Sequence, residues 1–531
     1  MILCWHRTDL RVEDNPALDR AAELARQRET TVQPVFVFDP RFYGEQSLAC
    51  DARIEFMHEC LASLREQYRE RGTELTLFHG DPINRFAVLF DDGEIELDRL
   101  CNTRHPIARY GAQRDEQIEA QLEADIDIEA IPEGAIVFDA RQRDIDSREG
   151  WADQCEAYLT GETHPAPDSE VLVSEADALN SEATIDEIEA RYDVDSSKRK
   201  VPRGGHRAAR RRLDWFTRAK VMQKYPSGIS SPAEAEQRTS RLSPYLRFGV
   251  LSVRQVYQAG VERAGAERAR DLFGSRLFWN RHFRQKLADN PRLTEEAVNP
   301  VFQGLFASEE ERDSDLIRAW KEGRTGFPMV DASMRALVET GWLNFRMRAM
   351  VASFFGYILK QWWKVGADFM YYHLIDADPA INYAQWQMQC GLVGCHPNRI
   401  YDPRKQAREN DAEGEFICEF VPELRDLPTE FLPRPEKAPV HVQRECGVTI
   451  GDGPEADYPY PVVDFEYEAT AAREQFGRLA DRARAALDEP KVRRRASLSR
   501  RRRQHMGEAS EERDEQVPES EKQRQGRLTE F

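Results

Sequence analysis

Residues 1–40 read MILCWHRTDLRVEDNPALDRAAELARQRETTVQPVFVFDP. MILCW is an apolar run typical of a buried strand, and helical spacing follows from Asn15 to about Arg28. VQPVFVFDP predicts a second strand that ends at Pro40, and a helix near 52–71 and a strand at ELTLFHG repeat the pattern. This alternation predicts a Rossmann-like α/β domain over residues 1–135, with a parallel sheet between helices. No G-x-G-x-x-G follows the first strand, so a dinucleotide site of that type is not expected there.

The rest of the chain changes character three times. Residues 136–205 form an acidic-to-basic connector, which turns basic at KRKVPRGGHRAARRR (198–212). Residues 206–485 show long helical periodicity and few strand signals, which predicts an all-α domain. Residues 486–531 carry many charges and almost no apolar side chains, which predicts a disordered tail.

Composition sets limits on partners and compartment. The 531 residues carry a formal net charge of −19, so any contact with a nucleic acid must come from a local basic surface. The chain has only 12 lysines, the first at Lys198, which indicates a high-salt cytoplasm or a GC-rich genome. Nine cysteines without a C-x-x-C pair favour reduced thiols over a metal site. The opening residues do not form a signal peptide, and no stretch approaches ~20 apolar residues. We therefore expect a cytoplasmic protein with no membrane contact.

Five stretches carry a family resemblance. They are WHRTDLRVEDNPAL (5–18), TSRLSPYLRFGVLS (239–252), TGFPMVDASMRALVETGWLNFRMRAMVASF (325–354), DADPAINYAQWQ (376–387) and RIYDPRKQ (399–406). In this order and spacing they resemble the DNA photolyase/cryptochrome family of blue-light flavoproteins. The resemblance implies an N-terminal antenna domain and a C-terminal helical domain that holds FAD. It also implies a possible second, antenna chromophore, a deazaflavin or a folate.

A hydroxyl-rich segment that opens a helix is the first candidate cofactor site. It consists of Thr239, Ser240, Arg241, Leu242 and Ser243. Free backbone N–H groups and hydroxyls at a helix start suit a pyrophosphate, although an ordinary N-cap before a Pro244 turn has the same pattern.

The resemblance adds flavin contacts in the helical domain. It implies that Arg348 pairs with Asp376 and supplies a cation for a reduced flavin, that Asp378 faces the flavin, and that Asn382 lies beside flavin N5. An amide carries no acid proton, so Asn382 is typical of a photolyase. The remaining flavin contacts implied by the resemblance are Tyr225, Phe273 and Trp342.

Trp386 and Trp363 match the first two members of the family's electron-transfer chain, although core packing is the usual role of a tryptophan. Together with Asn382 they are the predicted catalytic residues. The third tryptophan is absent, because Glu310 stands at its place. Trp362, Tyr371 and Tyr372 are near in sequence and are the candidate substitutes.

The predicted substrate cavity departs from the family pattern. Trp279 matches a tryptophan that stacks on a flipped base. Arg276 stands where a glutamate contacts the damaged bases, Phe345 replaces an asparagine, and Met388 replaces a second stacking tryptophan. Arg346 and Arg399 match arginines at the DNA-facing rim, where phosphate contacts position a duplex.

Two functions follow from these residues. The first is light-driven repair, in which reduced FAD donates an electron that splits pyrimidine dimers in ultraviolet-damaged DNA. The second is a cryptochrome photoreceptor that signals to a protein partner; a light-independent flavoprotein is a third class. Asn382 favours repair, whereas the altered cavity and the long tail favour the photoreceptor. The basic run 493–503 adds nonspecific DNA affinity or is a disordered extension. We expect a monomer.

Overall fold

The N-terminal region folds as the predicted α/β domain around one parallel sheet of five strands. The structure is a computed structural model that describes residues 1–44, 47–91, 97, 99–122, 126–138, 149–263, 267–395 and 399–496. The strands are β1 (Ile2–His6), β2 (Val32–Phe38), β3 (Thr76–His79), β4 (Arg99–Arg104) and β5 (Asp127–Pro132). Their order is β3-β2-β1-β4-β5, so the first strand of the chain is the central strand of the sheet.

Helices cover both faces of this sheet. They are α1 (Pro16–Arg28), α2 (Asp51–Arg69), α3 (Pro82–Asp91) and α4 (Arg109–Leu122). Ile2 and Cys4 of β1 pack in one apolar cluster with α1 and α2, and Leu3 and Trp5 pack in another with α3 and α4. A strand that is buried on both faces needs apolar residues at every position, which explains the unbroken MILCW run.

Asn15 fixes the start of α1. Its side-chain oxygen accepts hydrogen bonds from the backbone N–H groups of Ala17 and Leu18, both at 3.1 Å, and Pro16 occupies the first helical position. These are the capping residue and the first-turn proline that favour a helix start. The predicted helix from Asn15 to about Arg28 is therefore confirmed.

Two further helices lie in the segment between the sheet and the helical domain, α5 (Glu149–Thr160) and α6 (Ile185–Tyr192). Trp151 of α5 is 1% exposed, donates its indole N–H to the Ala135 carbonyl at 2.7 Å and packs against Phe278. The segment described as an acidic connector thus contributes large side chains to the core.

The C-terminal part is helical, as predicted. Its helices are α7 (His206–Phe216), α8 (Ala219–Met222), α9 (Tyr225–Gly228), α10 (Ala235–Arg238), α11 (Ser243–Arg247), α12 (Val253–Arg263), α13 (Glu267–Asp289), α14 (Ser314–Glu322), α15 (Pro328–Thr340), α16 (Phe345–Ser353), α17 (Trp363–His373), α18 (Pro379–Gln389), α19 (Pro403–Asn410), α20 (Glu415–Phe420), α21 (Val440–Glu445), α22 (Phe465–Asp488) and α23 (Pro490–Ala496). A π-helical turn, Phe354–Ile358, follows α16. None of the helices in the described part of the chain combines the length and the apolar character needed to cross a membrane.

The two parts share one apolar cluster. The side chains of Phe56 on α2 and Phe248 after α11 lie 5.8 Å apart between ring centroids, and Phe273 of α13 belongs to the same cluster. A buried ion pair adds to this contact: Asp14, 1% exposed, accepts hydrogen bonds from Arg254 on α12. The loop after β1 is therefore fixed to the helical domain by both apolar and ionic contacts.

The first prediction concerns His373, the last residue of α17. Burial, with Lys198 and Lys321 nearby, lowers the pKa of His373 from its usual 6.5 to about 3. The folded protein keeps this imidazole neutral, while the unfolded chain binds a proton below about pH 6.5. Stability is therefore lost as the pH falls from about 6.5 toward 3. Between about pH 7 and pH 5, the melting temperature should fall more steeply for the wild type than for His373→Gln. Equal slopes would contradict the assignment.

Candidate functional site

A cavity of about 310 Å³ in the helical domain lies among α11, α13, α16 and α18. Sixteen of the residues singled out from the sequence line it: Tyr225, Thr239, Ser240, Arg241, Ser243, Phe273, Arg276, Trp279, Trp342, Phe345, Arg348, Asp376, Asp378, Asn382, Trp386 and Met388. Four do not line it: Leu242, Trp363, Arg346 and Arg399. Residues that are far apart in sequence therefore meet at one site.

The segment 239–243 forms one end of the cavity. Arg212 holds it from behind, because its guanidinium donates to the carbonyls of Thr239 and Ser240, each at 2.8 Å. Arg241 has a φ of 50°, unusual for a residue with a side chain, and its guanidinium lies 4.0 Å from the centroid of the Trp342 ring. Leu242 points the other way and is 1% exposed in the core, so its side chain anchors the segment and does not face the cavity.

A buried arginine–carboxylate pair forms the middle of the cavity wall. Arg348 of α16 donates to both oxygens of Asp376, at 3.1 and 2.9 Å, and to the Leu343 carbonyl at 2.8 Å. The side chain of Asp376 is 4% exposed, whereas that of Arg348 is 25% exposed. The pair predicted from the sequence is therefore present, and the guanidinium keeps access to the cavity.

Asp378 caps α18 and belongs to a buried ionic network. Its carboxylate accepts a hydrogen bond from the Ile381 N–H at 3.2 Å and pairs with Arg284 of α13 at 2.7 Å. Arg284 also bonds Glu133, which follows β5, and Arg281 pairs with Glu133 at 3.2 Å. Ion pairs thus link the end of β5 to the cavity through four charged residues, in the order Arg281, Glu133, Arg284 and Asp378.

The charges in this network stabilise one another. Burial disfavours the charge on Asp378, but Arg284 and Arg247 lower its pKa below the usual value. Burial also opposes the charge on Glu133, but Arg281 and Arg284 hold its pKa well below the usual value. Because a buried carboxylate beside two arginines stays ionised, Asp378 presents a negative charge to the cavity across the neutral pH range.

Sequence reasoning missed Arg284. Its two carboxylate partners lie 94 and 151 residues away along the chain, and Arg281, Arg284 and Lys286 give α13 the look of a basic, exposed helix. Arg284 is 4% exposed. The one usable signal is the interruption of the apolar stripe of α13 by charges, and this pattern does not distinguish a buried ion pair from a solvated face.

Asn382 and Trp386 lie one turn apart on α18. The amide N–H₂ of Asn382 donates to the Ala367 carbonyl of α17 at 3.0 Å, so a neighbouring helix fixes the amide orientation. The ring of Trp386 makes edge contacts with Trp320 and Phe355, at centroid distances of 5.9 and 5.8 Å. Trp386 is 2% exposed although it lines the cavity, so it connects the cavity to the core.

Trp363 lies outside the cavity lining. It begins α17, is 4% exposed and contacts Tyr383 edge-on at 6.2 Å. Tyr383 stacks on Tyr371 at 5.6 Å and donates its hydroxyl to Asp368 at 2.6 Å. Of the three proposed substitutes for the absent tryptophan, Tyr371 is therefore the one joined to Trp363 by ring contacts among the described residues.

The other two substitutes lie elsewhere, and one tryptophan was overlooked. Tyr372 is 38% exposed and contacts His373, and Trp362 lies against the Arg312 guanidinium. Trp320 is fully buried and touches Trp386 directly. No sequence signal marks Trp320, because it lies on a different helix, α14, 66 residues from its partner.

The substrate side of the cavity has an aromatic wall. Trp279 stacks on Phe283 at 5.6 Å with an interplanar angle of 30°. The Arg276 guanidinium lies 5.3 Å from the Phe345 ring centroid, and Met388 packs in the same apolar cluster as Trp279. The three substituted positions thus form one surface with Trp279.

Arg346 and Arg399 lie next to each other outside the cavity lining. Their guanidinium carbons lie 5.8 and 5.5 Å from the centroid of the same ring, that of Tyr401. Arg346 also donates to the Ser230 hydroxyl at 3.4 Å. The two arginines form a positive patch, in keeping with their predicted place at the rim.

The cavity residues fit a flavin dinucleotide. Buried Arg241 Nε and Arg276 Nη2 have no hydrogen-bond partner among the described residues, which is the state of donors that a polar ligand would satisfy. The hydroxyls of Thr239, Ser240 and Ser243 line the same end. Farther along the wall are the guanidinium of Arg348, the carboxylates of Asp376 and Asp378, and the amide of Asn382. Phosphates at the hydroxyl end and a flavin ring at the Arg348 end would match these groups in charge.

Comparison with known proteins gives the same assignment. Residues 2–147 match the DNA photolyase family model, and residues 273–478 match that of the FAD binding domain of DNA photolyase. The chain is 30% identical over 502 residues to a deoxyribodipyrimidine photo-lyase of Halobacterium salinarum, covering 90% of this chain and 99% of that protein. It belongs to the photolyase/cryptochrome family. The cofactor of its helical domain is FAD.

Photolyase and cryptochrome relatives are nearly equally similar to this family member. Cryptochrome-2 of Arabidopsis thaliana is 29% identical over 506 residues, covering 91% of this chain and 79% of that protein. Among solved structures, the photolyase from Sulfolobus tokodaii with two FAD molecules matches with a TM-score of 0.73 and 25% identity, over 90% of this chain and 99% of that one. Overall similarity therefore supports the family and leaves its two activities to be separated at the cavity.

The second prediction concerns Gly366 of α17. A β-carbon at this position would lie 2.6 Å from Cζ3 of Trp386 and 3.0 Å from Cδ1 of Phe355, and both rings are fixed in the core. Gly366→Ala should therefore destabilise the protein by about 1–3 kcal/mol through overpacking and should loosen FAD. Gly477→Ala on α22 is the matched control, since nothing lies within 4 Å of its β-carbon position. It should stabilise by about 0.5–1 kcal/mol. Thermal melting measures both, and equal melting temperatures for the two variants would refute the close contact.

Proposed function

We propose that this protein is a light-dependent lyase that splits pyrimidine dimers in ultraviolet-damaged DNA. The observation that carries the proposal is a single cavity lined by Arg348, Asp376 and Asn382 on one side and by Trp279 on the other. Arg348, Asp376 and Asn382 suit a reduced flavin, and Trp279 suits an unstacked base. When bound, reduced FAD supplies the electron that splits the dimer, while the protein supplies orientation and electrostatics.

The groups around the flavin position favour the reduced, anionic form. Arg348 places a positive charge in the wall, and Asp376 holds it there. Since the nitrogen of the Asn382 amide is committed to Ala367, its oxygen is the atom available to accept a hydrogen bond from the cavity. An acceptor at this place matches the N–H that N5 carries only in the reduced flavin.

The aromatic wall supports binding of a flipped base. Trp279 stacks on Phe283 and lines the cavity, so its indole is part of the wall that a flipped base would meet. Arg276 has lost the acceptor function of a glutamate, but it can donate to a base carbonyl or a phosphate. Arg346 and Arg399 add positive charge at the rim, where phosphates of the flanking duplex would lie.

A cryptochrome function is the second candidate. It is favoured by the replacements at Arg276, Phe345 and Met388, which alter the surface that would contact a dimer. It would use the same flavin and tryptophans and signal to a protein partner. A second chromophore in the α/β domain, a deazaflavin or a folate, is compatible with either function.

The third prediction separates these functions. Purified protein should remove thymine dimers from irradiated DNA under blue light and not in the dark. Trp279→Ala should weaken binding to dimer-containing DNA by roughly ten- to a hundredfold, because stacking of one base contributes about 1–3 kcal/mol. Binding to undamaged duplex should change little. Wild-type protein that neither prefers damaged DNA nor removes dimers under light would favour the photoreceptor.

We also propose the route by which the flavin is reduced in light. Gly366, one turn after Trp363 on α17, abuts the Trp386 ring, so the helix that Trp363 begins packs directly on Trp386. From Trp363 the ring contacts lead through Tyr383 to the less buried Tyr371. Burial and the nearby Asp368 raise the pKa of Tyr383, and Asp368 accepts its hydroxyl hydrogen bond. That carboxylate is positioned to take the phenolic proton when Tyr383 is oxidised.

The fourth prediction tests this route by light-driven reduction of oxidised FAD in the presence of an external reductant. Trp386→Phe and Trp363→Phe should slow it strongly, and Tyr383→Phe should slow it by a smaller factor. Trp320→Phe is the control: Trp320 also touches Trp386, but it is fully buried and offers no exit to the surface. Wild-type rates in both Trp386→Phe and Trp363→Phe, or a slower reaction in Trp320→Phe than in Tyr383→Phe, would show that the route is different.

A further inference from the structure

The last described helix, α23, is held on the body of the protein. Its sequence is PKVRRRA, and Val492 and Ala496, one turn apart, are 4% and 1% exposed. Both belong to an apolar cluster with Phe283 and Leu287 of α13. Residues 490–496, predicted from the sequence to be part of a disordered tail, thus form an anchored, positively charged helix.

This cluster also reaches the cavity. Trp279 and Met388, which line the cavity, pack against it, and Phe283 belongs to both. Along α13, Trp279, Phe283 and Leu287 follow one another at intervals of four residues, so they form one stripe along the helix. With about 5.4 Å per helical turn, Leu287 lies roughly 12 Å along the axis from Trp279. The docked helix α23 is therefore a short distance from the aromatic wall.

The outward side of α23 is cationic. The apolar pair occupies one face, and Lys491, Arg493, Arg494 and Arg495 occupy the rest; Lys491 and Arg494 are exposed. The sequence continues into Arg500–Arg503, outside the described residues. In a chain with a net charge of −19, a basic cluster fixed near the cavity has a strong local effect on a polyanion.

We propose that α23 is part of the DNA interface and that its basic side chains contact phosphates of the duplex a few base pairs from the dimer. This inference rests on the proposed binding of damaged DNA. Since a duplex rises 3.4 Å per base pair, a distance of roughly 12 Å corresponds to three or four base pairs. Contacts of this kind position the duplex and carry no sequence information, which suits an enzyme that must act on any sequence.

The test is the salt dependence of DNA binding by the full chain. Lys491→Gln/Arg494→Gln removes two exposed charges and leaves the apolar anchor intact. Each lost phosphate contact should lower the slope of log K against log salt by about 0.9. The slope should fall by about 1–2, equally for undamaged and dimer-containing duplex. Retained FAD and an unchanged melting temperature show that the variant is folded.

Two further variants make the result specific. Arg473→Gln/Arg478→Gln removes two exposed charges from the neighbouring α22, far from its C-terminal end, and should leave the slope unchanged. Val492→Glu disrupts the anchor and leaves the basic residues in place. Val492→Glu should also weaken binding to undamaged and dimer-containing duplex alike, because the charges are no longer held beside the cavity.

The outcomes separate this inference from the proposed function. A wild-type slope in Lys491→Gln/Arg494→Gln, or an equal loss in the α22 control, overturns the inference and leaves dimer repair standing. Another outcome is that the wild type binds DNA without any preference for dimers while Lys491→Gln/Arg494→Gln has a smaller slope of log K against log salt. In that case repair fails and the interface stands. If the wild type does not bind DNA at all, both fail.

Discussion

The fold and the site depend on one buried network, the line of charges from Glu133 through Arg284 to Asp378. Glu133 follows the edge strand of the sheet, Arg284 lies in the middle of α13, and Asp378 begins α18 at the cavity. Removing one member of such a network leaves an uncompensated buried charge and costs about 3–5 kcal/mol. The network therefore fixes the cavity wall at Asp378 relative to α13 and to the end of β5.

Charge also organises the cavity itself. Arg348 and Arg284 each pair with one aspartate of the D-x-D segment, so two carboxylates two residues apart are neutralised by arginines from two different helices. This arrangement leaves neither carboxylate unpaired in the cavity wall. The surface of the protein shows the opposite balance, with an acidic excess and local basic patches at Tyr401 and α23. At each of these patches a polyanion would be attracted despite the acidic excess.

Local signals in the sequence predicted much of this structure. The strand–helix alternation gave the α/β domain, because a buried parallel strand and a capped helix both have short-range patterns, as Trp5 and Asn15 show. The motif resemblance gave most of the cavity lining and the Arg348–Asp376 pair. Contacts between distant segments were not predictable: Arg284 looks like a surface residue, Trp320 like any core tryptophan, and Val492 like an isolated apolar residue in a charged tail. In each case the partner decides the role, and the partner lies in a distant segment of the chain.

The central position of β1 has a consequence for how the chain is made. During synthesis, β1 needs β2 on one side and β4, about 100 residues later, on the other. At a synthesis rate of about 5–20 residues per second, β1 waits on the order of 5–20 s for its second neighbour. Arg254, the ion-pair partner of Asp14, is synthesised later still. During this time an apolar strand has an unpaired edge, so the nascent chain is open to aggregation and is a natural client of ribosome-associated chaperones.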